Sequence, residues 1–353
     1  MKAFHQILAT LSYGDAISDE ARTLRDYARA RGLASEIFVH NVHPRYRAEV
    51  RSYRELPKFD DPEAVALLHF SLGSPVVRAF LKLRARRALI YHNITPAHFF
   101  HGIHPRLAKE CAQGRGELAA LAPRVALALG DSEFNRAELE ALGFARTAVQ
   151  PIPIDFKRFR RDPDPLVVRA FNDHKANILC VGRVIPNKRL EDAIKVYAYY
   201  KKYVDHESRL LVVGEYRGFE PYLRRLQRLA ATIELDEVYF PNHVSFEQLL
   251  GYYAVADVLL HVSDHEGFCV PLLEAFDRGV PVVACAAGAV AETVGGGAVL
   301  FREKRLDRIA EAIHQLRRDG ALRQAVVARQ RQELARFDPA ALAAQLLDRL
   351  AKL

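Results

Sequence analysis

Short apolar runs and longer amphipathic stretches alternate along almost the whole of this 353-residue chain. Residues 5–11, 35–40, 64–70, 88–92 and 125–129 are strand-length runs rich in Val, Ile and Leu, and residues 18–31, 75–83 and 105–121 carry the helical period between them. That alternation predicts a parallel sheet buried on both faces by its crossover helices. Gln150-Pro151-Ile152-Pro153 then holds the chain extended, and a polar run over 160–165 follows. Beyond it the rhythm restarts, with strands at 177–181, 209–213, 238–240, 258–262 and 280–284 and helices at 189–204 and 219–233. The expected fold is therefore α/β: two doubly wound, Rossmann-like domains facing across a cleft at the C-terminal ends of their strands. We place them at 1–155 and 156–337, with a last amphipathic helix over 338–353 packing back on the first.

Half of the residues are apolar, enough for two cores. No run of eighteen apolar residues occurs and the N-terminus has no signal-peptide core, so the expectation is a cytoplasmic protein. Cys111, Cys180, Cys269 and Cys285 are scattered without a CxxC pair, which fits reduced thiols. The net charge of +8 is mostly arginine on helices, such as Arg22, Arg25, Arg29 and Arg31, where a solvated face is the ordinary explanation. Residues 76–87 differ: Val77, Phe80, Leu81 and Leu83 interleave with Arg78, Lys82, Arg84, Arg86 and Arg87. They read as a basic amphipathic helix, either packed on a sheet or lying peripherally on the anionic inner face of a membrane. Nucleic acid is not an expected partner, because the aromatic residues fall within strand and helix patterns rather than along a basic groove.

Two clusters carry chemistry. Glu266 and Glu274 flank a glycine turn between two apolar strands, with Pro271 in the first turn of the helix that follows. A strand, a glycine loop and a helix N-terminus form an anion pocket, and two acids beside it suit a ligand that carries hydroxyls as well as phosphates, a nucleotide-sugar. In the same domain, Gly182 permits a tight turn after a strand, Arg183 offers a planar fork for phosphate oxygens and Lys188 a mobile point charge. His92, His98, His101 and His104 do not match a zinc spacing, and Asp162-Pro163-Asp164 reads as a turn. No metal is expected.

Gly182-Arg183…Lys188 followed by His265-Glu266-Gly267-Phe268…Glu274 resembles the retaining glycosyltransferases of the GT-B fold, family 4, the glycosyl transferases group 1. The resemblance takes in the whole second domain, the linker 151–159 and Asp131-Ser132-Glu133-Phe134-Asn135. It implies a retaining transferase with neither metal nor other cofactor, moving a mannose- or glucose-type hexose from a nucleotide-diphosphate sugar to a glycan or lipid-linked acceptor in surface polysaccharide or glycoconjugate synthesis. Arg183 and Lys188 would neutralise the departing diphosphate, where developing charge makes such help most effective. Glu266 would hold the sugar's hydroxyls and Glu274 the ribose, with Gly182, Gly267, Phe268, Cys269 and Val270 close to sugar and phosphate and Val244 near the base. In the first domain the same resemblance places Gly14 at the donor phosphate, His92 at the donor sugar as a catalytic residue, and Asp15, Ser71 and Asn93 on the acceptor side. An N-cap is the equal alternative for Asp15. The competing functional reading is a non-catalytic binder of nucleotide-sugars or polyanions.

Overall fold

The computed structural model describes residues 1–353, and these form two compact units. The first comprises Met1–His98, Arg106–Asp155 and Phe337–Leu353; the second comprises Phe99–Pro105 and Phe156–Arg336. Phe99–Pro105 is the departure from a simple linear division, and its rings explain it: Phe100 and His104 pack against Phe219 at 5.9 and 5.2 Å.

In the first unit, β1 (Phe4–Leu11), β2 (Ile37–Val42), β3 (Arg51–Ser52), β4 (Val65–Phe70), β5 (Arg86–Tyr91), β6 (Leu127–Gly130) and β7 (Thr147–Val149) make one parallel sheet, ordered β3-β2-β1-β4-β5-β6-β7. Its helices are α1 (Ala16–Ala30), α2 (Pro75–Phe80), α3 (Pro105–Leu121) and α4 (Glu133–Ala141). The second unit runs α5 (Pro165–Phe171), β8 (Ala176–Val181), α6 (Leu190–Tyr203), β9 (Ser208–Val213), α7 (Glu220–Thr232), β10 (Val238–Asn242), α8 (Phe246–Val255), β11 (Val258–His261), α9 (Val270–Asp277), β12 (Val282–Cys285), α10 (Val290–Val294), β13 (Val299–Phe301), α11 (Leu306–Arg318) and α12 (Gly320–Leu334). Its parallel sheet is ordered β10-β9-β8-β11-β12-β13. Each sheet thus reverses its winding once, between β1 and β4 and between β8 and β11, and ligands of open α/β sheets settle beyond the strand ends at such points.

The chain returns to the first unit through α13 (Pro339–Ala351). Asp338 caps this helix by accepting from the Ala341 amide, and Ala343, Leu346, Leu347 and Leu350 join Phe4, Leu24, Val65 and Ile90 in one core. Arg22 and Arg25 are not on a solvated face: both hold Glu49, at 3.0 and 3.1 Å. Asp164 of the Asp-Pro-Asp run is the N-cap of α5, accepting from Leu166 and Val167 amides. All four cysteines are free and buried.

The expected basic helix over 76–87 is not formed. The helix α2 ends at Phe80, and Arg86 and Arg87 already belong to β5. Val76, Val77, Phe80 and Leu83 are buried and Leu81 is half-buried, so these side chains pack inward and form no continuous exposed apolar face. Arg84 bonds Asp60, Arg86 donates to the Glu63 carbonyl and Arg87 to the Leu81 carbonyl. The same residues that look amphipathic on a helical wheel are consumed by the turn into a central strand. No helix of the protein is long and apolar enough to cross a membrane.

Leu346 is fully buried, so Leu346→Ala should destabilise the first unit by about 2–5 kcal/mol, whereas Leu346→Met should cost less than about 1.5 kcal/mol. Calorimetric melts of both variants test the docking of α13; a loss for Leu346→Ala no larger than that for Leu346→Met would speak against it.

Candidate active site

In the second unit the motif residues meet because of what the backbone allows at two strand ends. The chain leaves β8 through Gly182, whose φ of 138° suits glycine alone. A Cβ placed on Gly214, just after β9, would lie 1.9 Å from the Gly182 carbonyl oxygen, so the two loops touch backbone to backbone. The 3₁₀ turn Pro186–Lys188 then brings Lys188 back over Gly182, within 3.5 Å of where a Cβ there would stand. This turn is tied to the loop after β11: the Asp264 amide donates to the Asn187 carbonyl at 2.9 Å and Asn187 Nδ2 to the His265 carbonyl at 3.2 Å.

That zipper delivers Lys188 Nζ to Glu266 Oε1 at 2.6 Å. His261 Nε2 lies 3.1 Å from the same oxygen. Burial opposes both charges, but each sustains the other. Lys188 and His261 hold the Glu266 carboxyl well below its ordinary range, and Glu266 raises the Lys188 ammonium. Behind Glu266 the backbone leaves room only for glycine: a Cβ on Gly288 would lie 2.3 Å from the Glu266 carbonyl oxygen, which also accepts from the Ala289 amide at 3.0 Å. Cys269, in the left-handed conformation at φ 77°, turns the chain into α9, whose positive end therefore starts four residues after Glu266. Thr293 Oγ1 steadies this turn on the Phe268 carbonyl at 2.6 Å.

Glu274 is one turn inside α9, buried, and accepts from the Tyr253 hydroxyl at 2.8 Å. Arg183 is exposed and lies over the Phe219 ring at 5.6 Å. Val244 follows the edge strand β10 in a half-buried loop. Ser263 Oγ and Asn187 Oδ1 are buried with no partner in the protein, and Ser263 lines a water-sized cavity of about 10 Å³ with Gly182, Arg183 and Lys188. The assembled group is thus a cation, an acid and a helix N-terminus around the ends of the paired strands β8 and β11, which can grip phosphate and hydroxyl together.

The first unit builds a different network at its own winding reversal. Gln6 on β1 meets His69 Nε2 at 2.9 Å, His69 Nδ1 meets His92 Nε2 at 3.0 Å, and His92 Nδ1 meets Asp131 Oδ2 at 3.0 Å. Glu20 of α1 is fully buried, and its carboxylate, 3.7 Å from His92 and 3.9 Å from His69, has no hydrogen-bond partner. Burial pushes Glu20 up to about 8, tempered by His92. For His92, burial disfavours the charge, yet Asp131 and Glu20 outweigh it and lift the ring to about 9. Glu20, His69 and His92 lie close enough to hold a metal ion; a proton on His92 meets the same electrostatic need. A second potential donor group, His261, Glu266 and Cys269, already has Lys188 as its cation.

His92 is therefore a buried link, its side chain 2% exposed and both ring nitrogens engaged. Asn93, expected on the acceptor side, is instead a buried, left-handed turn residue (φ 71°) that donates to Asn135 at 2.7 Å and ties β5 to α4. Asp15 caps α1, accepting from the Ser18 amide at 3.0 Å and its hydroxyl at 2.7 Å. Gly14 (φ 72°) is open, with nothing within 4 Å of a Cβ, and Ser71 is exposed at the end of β4. Glu20, His69, His261 and Tyr253 were missed. Two of them had a signal, being single histidines within otherwise apolar strands.

Raised pKa values stabilise a fold below the unfolded value and lose that contribution as pH climbs through the folded one. For Glu20 this window opens at 4.5 and closes near about 8, and for His92 it runs from 6.5 to about 9. His69 is lowered by burial and by His92, and acts in the opposite sense only below 6.5. The first unit should lose stability from pH 6.5 to about 9, and Glu20→Gln should make the fall shallower. Melting temperatures across that interval check this; a flat wild-type profile would contradict the network.

Residues 167–333 match the family model of the glycosyl transferases group 1. Over 179 residues the chain is 29% identical to the GDP-mannose-dependent alpha-(1-6)-phosphatidylinositol monomannoside mannosyltransferase of Mycobacterium tuberculosis, covering 47% of this chain and 45% of that protein. It is 27% identical over 316 residues to a GDP-mannose-dependent alpha-mannosyltransferase of the same organism, covering 85% and 77%. The chain thus spans about half the length of the first of these relatives. The solved structure of sucrose-phosphate synthase from Thermosynechococcus elongatus shares the fold, with a TM-score of 0.76 at 19% identity over 99% of this chain and 98% of that one. By its two parallel sheets the chain has the GT-B fold, and its residues 167–333 are similar to the glycosyl transferases group 1.

Proposed function

We propose that the protein is a retaining, metal-independent glycosyltransferase that takes mannose from GDP-mannose and hands it to a saccharide or lipid-linked acceptor in surface glycan or glycolipid synthesis. The donor is inferred from the relatives, two of which are named for dependence on GDP-mannose. The observation that carries the chemistry is the buried Lys188–Glu266 pair at 2.6 Å beside the N-terminus of α9.

Such a pair suits a reaction in which a diphosphate departs from a sugar. Lys188, joined by Arg183 on the same loop, meets the negative charge that grows on the leaving phosphate, and a preorganised cation acts most strongly where water is excluded. Glu266, kept ionised by Lys188 and His261, accepts from the sugar's hydroxyls and fixes its orientation. The hydroxyls of the nucleoside ribose fall to Glu274, which Tyr253 holds in place. In this reading the departing phosphate takes the acceptor's proton on the face it leaves, so the sugar keeps its configuration and the protein contributes no nucleophile. The cations at the strand end take the part that a metal plays elsewhere.

Glu266→Gln preserves shape while removing the charge, and should lower kcat/KM for mannosyl transfer about 10²–10³-fold with GDP affinity little changed. Lys188→Ala should lose both, since it leaves Glu266 buried without its cation. The assay is transfer of labelled mannose from GDP-mannose, with the product's anomeric configuration read by NMR and EDTA present in a parallel reaction. An inverted product would refute the retaining mechanism, inhibition by EDTA the metal independence, and GDP binding with no transfer to any acceptor would favour a binding protein.

A further inference from the structure

A cavity of about 850 Å³ in the first unit lies between α2, α3 and the turn Tyr53–Phe59, and none of the residues discussed above as donor-binding lines it. Two glycines give it its shape. A Cβ on Gly73 would stand 2.2 Å from Glu117 Oε2, and one on Gly114 would stand 3.3 Å from the Gly73 amide nitrogen, so α3 is drawn against the loop after β4. That loop, Gly73–Ser74, is at the C-terminal end of β4, the same edge of the sheet on which β5 and β6 deliver His92 and Asp131.

The charges in this groove are not balanced. Asp60 is held by Arg84 through its carboxylate, at 2.7 Å to the Arg84 amide and 3.3 Å to its Nε, and Glu110 by Arg106 at 2.8 Å. Arg54, Arg78 and Lys82, all exposed, line the groove with no acid in ion-pair reach of any of them. Their three positive charges face Glu117, whose Oε1 accepts from Gln113 at 2.9 Å. Ser74 Oγ, also in the wall, is buried and has no hydrogen-bond partner, although it stands at the N-cap of α2 where a serine ordinarily caps.

We infer that this groove binds a phosphate group carried by a saccharide, the phosphate resting among Arg54, Arg78 and Lys82 and the sugar's hydroxyls on Glu117, Gln113 and Ser74. An arginine fork and a lysine point charge are the donors that phosphate oxygens select, while a carboxylate, an amide and a hydroxyl match vicinal hydroxyls. A bilayer surface fits less well. The wall is concave, and every large apolar side chain exposed on the protein (Leu166, Tyr203, Ile233, Tyr239, Leu300 and Leu322) belongs to the second unit. That the phosphosaccharide is the acceptor rests on the function proposed above; that the groove takes a phosphate does not.

The test is calorimetric titration of the full chain and of the double variant Arg78→Ala, Lys82→Ala with mannose 6-phosphate, mannose, inorganic phosphate and phosphatidylcholine vesicles doped with phosphatidylinositol. GDP serves as the control ligand of the second unit. Mannose 6-phosphate should bind the wild type about tenfold or more tighter than mannose, and the double variant should lose about tenfold or more of that affinity while binding GDP as before. Vesicle binding that the double variant loses, in place of binding to the sugar phosphate, supports the groove with the phosphate borne by a lipid head group. Absence of binding to every phosphate probe, or equal binding by wild type and variant, overturns the inference. Failure of GDP to bind, with sugar-phosphate binding as expected, would count against the proposed donor and leave the groove standing.

Discussion

A lysine and a glutamate removed together from water are tolerable only as a pair, because the desolvation of each is recovered from the other and from good hydrogen bonds. Lys188 and Glu266 meet that condition at 2.6 Å, with His261 as a second partner for the same oxygen. Much of the second unit's loop structure serves the contact. Gly182 and Gly214 let two strand ends touch, Asn187 ties the lysine's turn to the acid's loop, and Gly288 leaves space for the Glu266 backbone. The three glycine positions admit no side chain without strain or collision, so the geometry of the pair is set by the backbone before any ligand arrives.

The first unit solves a comparable problem with protons. Glu20 of α1 and His69, His92 and Asp131 at the strand ends all have buried side chains, and a single hydrogen-bond chain from Gln6 to Asp131 threads the two imidazoles. Asp131, helped by Glu20, raises the His92 ring above its ordinary value against the effect of burial, while burial and His92 lower the second histidine beside it. The arrangement sets both the orientation and the charge of His92, and orientation fixed by a neighbouring carboxylate is a recurrent way of making a histidine dependable.

The motifs around Arg183, Lys188, Glu266 and Glu274 were legible because their meaning is local: a glycine after a strand, a proline in the first turn of a helix, an acid one turn further in. The two-sheet architecture was legible for the same reason, since apolar runs of strand length buried on both faces leave few other folds. Residues 76–87 misled on those very grounds. Helical periodicity is a property of spacing, and only the pull of β5 into the sheet decides that Arg86 and Arg87 are extended. Asn93 likewise reads as a polar residue at a strand end, and its commitment to Asn135 depends on a helix forty-two residues away.

What the sequence determined by itself was the class of fold, the boundary near the proline-rich linker, and the chemical types gathered at the strand ends, because these follow from local patterns of polarity and backbone freedom. What only the tertiary structure decided was partnership. Lys188 and Glu266 are 78 residues apart, His92 and Asp131 are 39 apart, and His69 and Gln6 are 63 apart. Crossover connections in a parallel sheet bring such residues to one edge, and no local rule specifies which side chains then share a proton or a charge.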